Sequence, residues 1–140
     1  HGLVCAVTDQ STGAPWGCSG TEIAGADGTA IGTGAQNTLD IIAGCATDGT
    51  AADICASLNL NSYDDWFLPS LDELQEIYNN KTLINTTSNA NGGTVFADND
   101  YWSSSEYGSV TAYMIDFTDG SIPTGAKQFA TRSVRAIRVF

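Results

Sequence analysis

Apolar and polar positions divide the chain into an early part with helical spacing and a late part that alternates. In "PSLDELQEIYNN", Leu71, Leu74, Ile77 and Tyr78 recur at three- and four-residue intervals, the mark of one buried helix face. Ser70 and Glu73 stand ahead of it as Ser-x-x-Glu, a capping box that predicts the helix start. Asp72 and Glu73 fall in the first turn, where the helix dipole favours negative charge, so neither needs a catalytic role. Asn79 and Asn80 end the pattern. Two weaker helices are predicted, one in "NTLDIIAGC" with Asn37 or Thr38 as its cap. The other lies in "TAADICASL", with Ala51, Ala52, Ile54, Cys55 and Leu58 facing inward.

"GLVCAV" is apolar almost throughout and predicts a buried strand. The turn-rich stretch after it has Trp16 as an anchor. "TEIAGADGTAIGTGAQ" shows neither period and reads as an ordered loop. It lacks the lysine and the preceding strand of a phosphate loop, which argues against nucleotide binding. "YDDWFLP" sends Trp66 and Phe67 to the core. "TLINTTSNANGGTVFADND" is long, polar and irregular, and loops of that kind are functional or disordered. Short strands follow in "YWSSS", "TAYMIDF", "KQFAT" and "SVRAIRVF", with a hairpin turn at the Asp-Gly of "TDGS". The expected architecture is α+β, with short helices in the first half and a twisted antiparallel sheet in the second. Neither repeat nor linker divides residues 1–140, so one domain is expected.

Composition narrows the function classes. Sixteen acids against five bases give a net charge of −11, which disfavours nucleic acid, anionic membranes and sulfated polysaccharides. Four of the bases, Lys127, Arg132, Arg135 and Arg138, fall in the final fourteen residues. An arginine on an apolar strand needs a carboxylate, with Asp64, Asp65, Asp116 and Glu106 as the candidates for Arg135 and its neighbours. No apolar run reaches the roughly 20 residues of a bilayer span. The chain opens on "HGLVCAV" without a secretory leader, as a mature secreted product or an excised domain does.

Cysteine usage points to an oxidising compartment. Cys18 and Cys45 lie in glycine-flanked loops and are expected to pair. Cys5 and Cys55 are either a second bridge or two buried thiols acting as small hydrophobes. With no Cys-x-x-Cys and a single terminal histidine, structural zinc is disfavoured.

Residues 101–108, "YWSSSEYG", pose the functional question most sharply. Serine catalysis fails for want of a nucleophile elbow and of a placed histidine. The acid pairs Asp64–Asp65 and Asp98–Asp100 are what so acidic a chain supplies on solvated loops. Asp98, Asn99, Asp100 and Glu106 offer hard oxygen donors for calcium, though not at EF-hand spacing. Expected strand alternation puts one of Tyr101 and Trp102 inside and the other outside, with the serines bonded to neighbouring backbone. A binding surface then consists of Tyr101, Glu106 and Tyr107, whose rings suit sugar stacking, with Lys127 and Arg132 as candidate cationic contacts.

The blocks "HGLVCAVTDQSTGAPWGCSG", "GADGTAIGTGAQNT", "DWFLPSLDEL", "YWSSSE" and "SVRAIRVF" resemble, in combination and order, the C-terminal domain family of the Legionella collagen-like protein. The resemblance spans essentially the whole chain. It implies a fold related to C-type lectins and formylglycine-generating enzymes, in secreted or bacterial surface proteins. Members usually carry a further strand before "HGLV", so the resemblance also implies a sheet edge left open or filled by a partner. The implied function is non-catalytic extracellular recognition or adhesion, through a glycan or another surface partner, with homo-oligomer formation through that edge. A structural subunit of a surface filament is the alternative reading. A formylglycine-type oxidase is weaker, because no cysteine pair is marked for copper.

Overall fold

The computed structural model describes residues 1–140. Seven strands and four helices follow one another as β1 (Leu3–Cys5), β2 (Ser11–Ala14), α1 (Gly34–Gly44), α2 (Ala51–Ala56), α3 (Leu71–Asn79), α4 (Lys81–Ala90), β3 (Asp100–Glu106), β4 (Thr111–Asp116), β5 (Thr124–Ala126), β6 (Arg132–Val134) and β7 (Ile137–Val139). The class is α+β, with short helices before a curled sheet. That sheet is ordered β2-β6-β3-β4-β5, and β1 pairs with β7 in a separate two-stranded ribbon.

The sheet departs from the expected all-antiparallel form at one pair. β6 joins β3 in parallel, with Tyr101 opposite Ser133, because the chain returns from β5 to the far side of β3. "SVRAIRVF" is also two strands, not one. It bends at Arg135 and Ala136, so that β6 serves the large sheet and β7 serves β1. "KQFAT" forms the connection between β5 and β6 instead of a strand. The Asp-Gly hairpin stands as expected, with Gly120 at φ +80° between β4 and β5, a conformation glycine adopts without penalty.

α3 carries the predicted capping box. The Ser70 hydroxyl accepts from Glu73 N, and the Glu73 carboxylate accepts from Ser70 N at 2.8 Å. α1 starts earlier than expected, at an N-cap Thr33 that makes no side-chain cap bond. Asn37 and Thr38 are buried within the helix, with Asn37 Nδ2 donating to Gly28 O and Thr38 Oγ1 to Gly34 O. The polar run after α3 contains α4, which neither propensity nor periodicity announces. Tertiary packing forms it, because Ile84 and Ser88 turn inward and Asn85 Oδ1 receives Phe96 N at 2.9 Å.

Two apolar clusters flank the sheet. One gathers Trp16, Ile41, Cys55, Trp66, Leu68, Trp102 and Met114. The other gathers Phe67, Leu74, Ile77, Phe96, Tyr101, Ile115 and Phe117. β3 lies between them and is buried on both faces, so Tyr101 and Trp102 both point into core. This corrects the expectation of one ring outside.

The serine run of β3 follows from a bulge. Between Trp102 and Glu106 the register with β4 shifts, and part of the strand loses its ladder partners. Ser104 N and Glu106 N instead donate to Pro69 O and Ala26 O. Ser103 Oγ donates to Tyr113 O at 2.8 Å, and Ser105 Oγ donates to Gly28 O at 2.7 Å. Small hydroxyls thus satisfy buried backbone where a regular ladder would have done so.

Candidate functional site

β3 ends at Glu106, and the chain around that carboxylate is held closely. Lys127 Nζ forms an ion pair with Glu106 Oε1, donates to Thr21 O at 2.9 Å and lies 4.7 Å from the centroid of the Trp16 ring. Ile23 N donates to both Glu106 oxygens, at 3.0 and 3.1 Å. With Glu106 N on Ala26 O, these bonds fasten the 21–26 segment to the end of the strand. Lys127 is wholly buried, and its charge is tolerable only because a carboxylate, a carbonyl and an aromatic face all meet it.

Outside this pair lies a pocket of about 540 Å³, within the size range of small-ligand sites, lined by Glu22, Ile23, Gly25, Asp27, Glu106 and Tyr107. Gly25 has φ +88°, and a Cβ there would meet Asp40 Oδ2 at 2.5 Å, so the loop turns tightly against α1. Tyr107 is 64% exposed. Its ring is nonetheless oriented, edge-to-face against Tyr113 at 5.4 Å between centroids and 87° between planes. An oriented exposed ring offers a stacking face, and the neighbouring carboxylates accept hydroxyl or ammonium protons.

The structure brings together Glu106, Tyr107 and Lys127 from the expected surface and removes the other two. Tyr101 is in the core. Its hydroxyl donates to Asp9 Oδ2 at 2.7 Å and accepts from Ala97 N, and burial pushes its pKa upward. Arg132 lies at the opposite end of β3, with Nε 3.3 Å from Asp100 Oδ2. Lys127 belongs to the site as a support behind Glu106 and does not reach the surface.

The four expected calcium donors do not form one site. Asp98, Asn99 and Asp100 share one end of β3, while Glu106 is six residues along an extended strand, about 20 Å away. Asn99 is engaged through Nδ2 with Thr131 O and Ser133 Oγ. No group of three acidic, histidine or cysteine side chains gathers with metal-binding geometry.

Cys18 and Cys45 form the expected disulfide, with Cα atoms 5.8 Å apart. Cys5 and Cys55 are free, against the second-bridge alternative, because they pack into different apolar clusters. Burial pushes the Cys5 thiol up to about 12 and raises that of Cys55 as well. Trp66 and Trp102 are core residues, and Trp102 Nε1 donates to Ala14 O at 2.8 Å. Arg135 is buried, as a covered arginine requires. Its partner is Asp9, at 2.7 Å from Nε, which was outside the four acids expected. Arg138 does take one of those four, Asp65, with two bonds of 2.6 and 2.8 Å. Lys81 Nζ donates to Phe117 O at 2.7 Å, so each of the five bases is engaged within the fold.

Sequence reading missed Glu22 and Asp27. They sit in a glycine-rich loop without periodicity, and only the fold sets them opposite Tyr107. A family model, the Lcl C-terminal domain, matches residues 5–138. No curated protein matches the chain.

Proposed function

We propose that this chain, which belongs to the Lcl C-terminal domain family, is a non-catalytic recognition domain that binds a glycan at the pocket beside Tyr107. The carrying observation is the Tyr107 ring, exposed and fixed by Tyr113 above a pocket with carboxylates along its rim. A ring held in one orientation loses little entropy when a sugar stacks on it. The surrounding chemistry suits binding better than turnover. The three serines of β3 are buried, Ser103 and Ser105 donating to backbone carbonyls and Ser104 Oγ accepting from Asn37 Nδ2, and no histidine is hydrogen-bonded to them as a base would be.

A secreted or bacterial surface location belongs to this proposal. It is supported by the Cys18–Cys45 disulfide, which fits an oxidising environment. No helix is long and apolar enough to cross a membrane. Kinship with C-type lectins, implied by the sequence resemblance, is part of the same reading.

A second reading, assembly into a surface oligomer or filament, draws on β1. In its antiparallel register with β7, Leu3 and Cys5 alternate with the hydrogen-bonded positions and direct their backbone groups away from that partner. Strand edges of this kind accept further strands.

The test is a glycan array probed with the native protein and Tyr107→Ala, each with and without calcium. The proposal expects binding that the substitution abolishes. Calcium dependence would add a metal to the site, and binding that Tyr107→Ala leaves unchanged would overturn the assignment of the pocket.

A further inference from the structure

We infer that the glycan taken by this pocket carries a free amino group, as a deacetylated hexosamine does; the inference rests on the glycan-binding reading above. The starting observation is what faces the cavity. Glu22, Asp27 and Glu106 line it, and Asp40 stands behind Gly25. No basic side chain lines it. The nearest cation, Lys127, is buried behind Glu106 and already shared between that carboxylate and Thr21 O.

Cations from elsewhere do not supply the deficit. Arg132, Arg135 and Arg138 are each committed to a carboxylate, and Lys81 to a backbone carbonyl. A sulfated or carboxylated sugar would therefore enter a negative field with no counter-charge, on a chain of net charge −11. A neutral sugar could stack but would leave that field unused.

An ammonium group uses both features. The exposed Tyr107 ring offers a π face to a cation, and the rim carboxylates accept its protons. The buried pair makes this selectivity durable. Lys127 cancels the charge of Glu106 and fixes the 21–26 segment, so Glu22 and Asp27 on the rim are left as the charges a ligand meets.

The experiment is a titration of the isotope-labelled native chain, followed by NMR, with four probes in low salt. They are a glucosamine trimer, its fully N-acetylated counterpart, a heparin-derived disaccharide and a lysine amide. The inference expects the glucosamine trimer to bind roughly tenfold more tightly than the acetylated form. Its shifts should centre on Tyr107 and residues 22–27, weaken in salt, and fall on Asp27→Asn and on Tyr107→Ala. Equal or tighter binding of the acetylated or sulfated probe at the same residues overturns the amino-group inference and leaves the glycan site standing. Lysine amide binding as tightly as the trimer overturns it in favour of a protein ligand. The absence of shifts at the pocket with every probe overturns the glycan reading itself.

Discussion

The two ends of β3 begin from similar chemistry and arrive at different environments. At one end Asp100 meets Arg132, and at the other Glu106 meets Lys127. Both pairs join the strand to the C-terminal stretch where the bases are concentrated. Asp100 keeps about a fifth of its side-chain surface in water, and it faces Asp116 across the ladder. Glu106 and Lys127 are buried, and a loop is tied across them. An ion pair near water is adjustable and nearly neutral in energy, whereas a buried pair is structural and shapes what surrounds it. The candidate pocket lies at the second end for that reason.

The largest expected effect comes from breaking the buried pair. Glu106→Ala leaves Lys127 enclosed without its counter-ion and should cost about 3–5 kcal/mol in denaturant unfolding. Replacing both partners, with Glu106→Gln and Lys127→Met, should recover much of that loss. Equal destabilisation by the single and double variants would contradict the charge argument.

Next in size is the disulfide beside the same loop. Cys18 and Cys45 are 27 residues apart, and removing both sulfurs should cost about 3–4 kcal/mol through the freed unfolded chain. The loss should fall first on protection of amides in residues 21–27, read by hydrogen exchange. Uniform loss across the fold would show that the staple does not support the pocket.

The smallest effect is expected at the Asp100 end. Burial raises the Asp100 pKa above its ordinary value, with Arg132 opposing and Asp116 and Asp119 assisting. A raised carboxyl favours folding most in its protonated form. Its contribution is present below the unfolded pKa of about 3.9 and is lost as pH rises through the folded value. Asp100→Asn should therefore change stability by under about 1 kcal/mol, in the stabilising direction at neutral pH. The difference from the native chain should shrink as pH falls below that of an ordinary carboxyl. A large destabilisation by Asp100→Asn would erase the contrast between the two ends.

What the sequence disclosed follows the same division between local and assembled structure. α3 was legible because its capping box and apolar spacing lie within a dozen residues. The Cys18–Cys45 bridge was legible from loop placement, and the Asp-Gly hairpin from its turn chemistry. α4 was not, since its Thr, Asn and Ser favour no helix on their own and only packing against the core selects one. Alternation misjudged Tyr101 because a strand covered on both faces has no outside. The partners Asp9 and Arg135 are separated by 126 positions and share no motif. Glu22 and Asp27 were hidden in the same way, in a loop whose shape is imposed by Glu106 and Lys127.

The central claim is that the Glu106 end of β3 presents a recognition surface through Tyr107. The most direct measurement compares native protein and Tyr107→Ala for folding stability and for binding to the glycan that the native form captures. Tyr107 is largely exposed and loses only its edge-to-face contact with Tyr113, so stability should fall by no more than about 1.5 kcal/mol. Binding should disappear. Retained binding by a folded Tyr107→Ala protein would contradict the account.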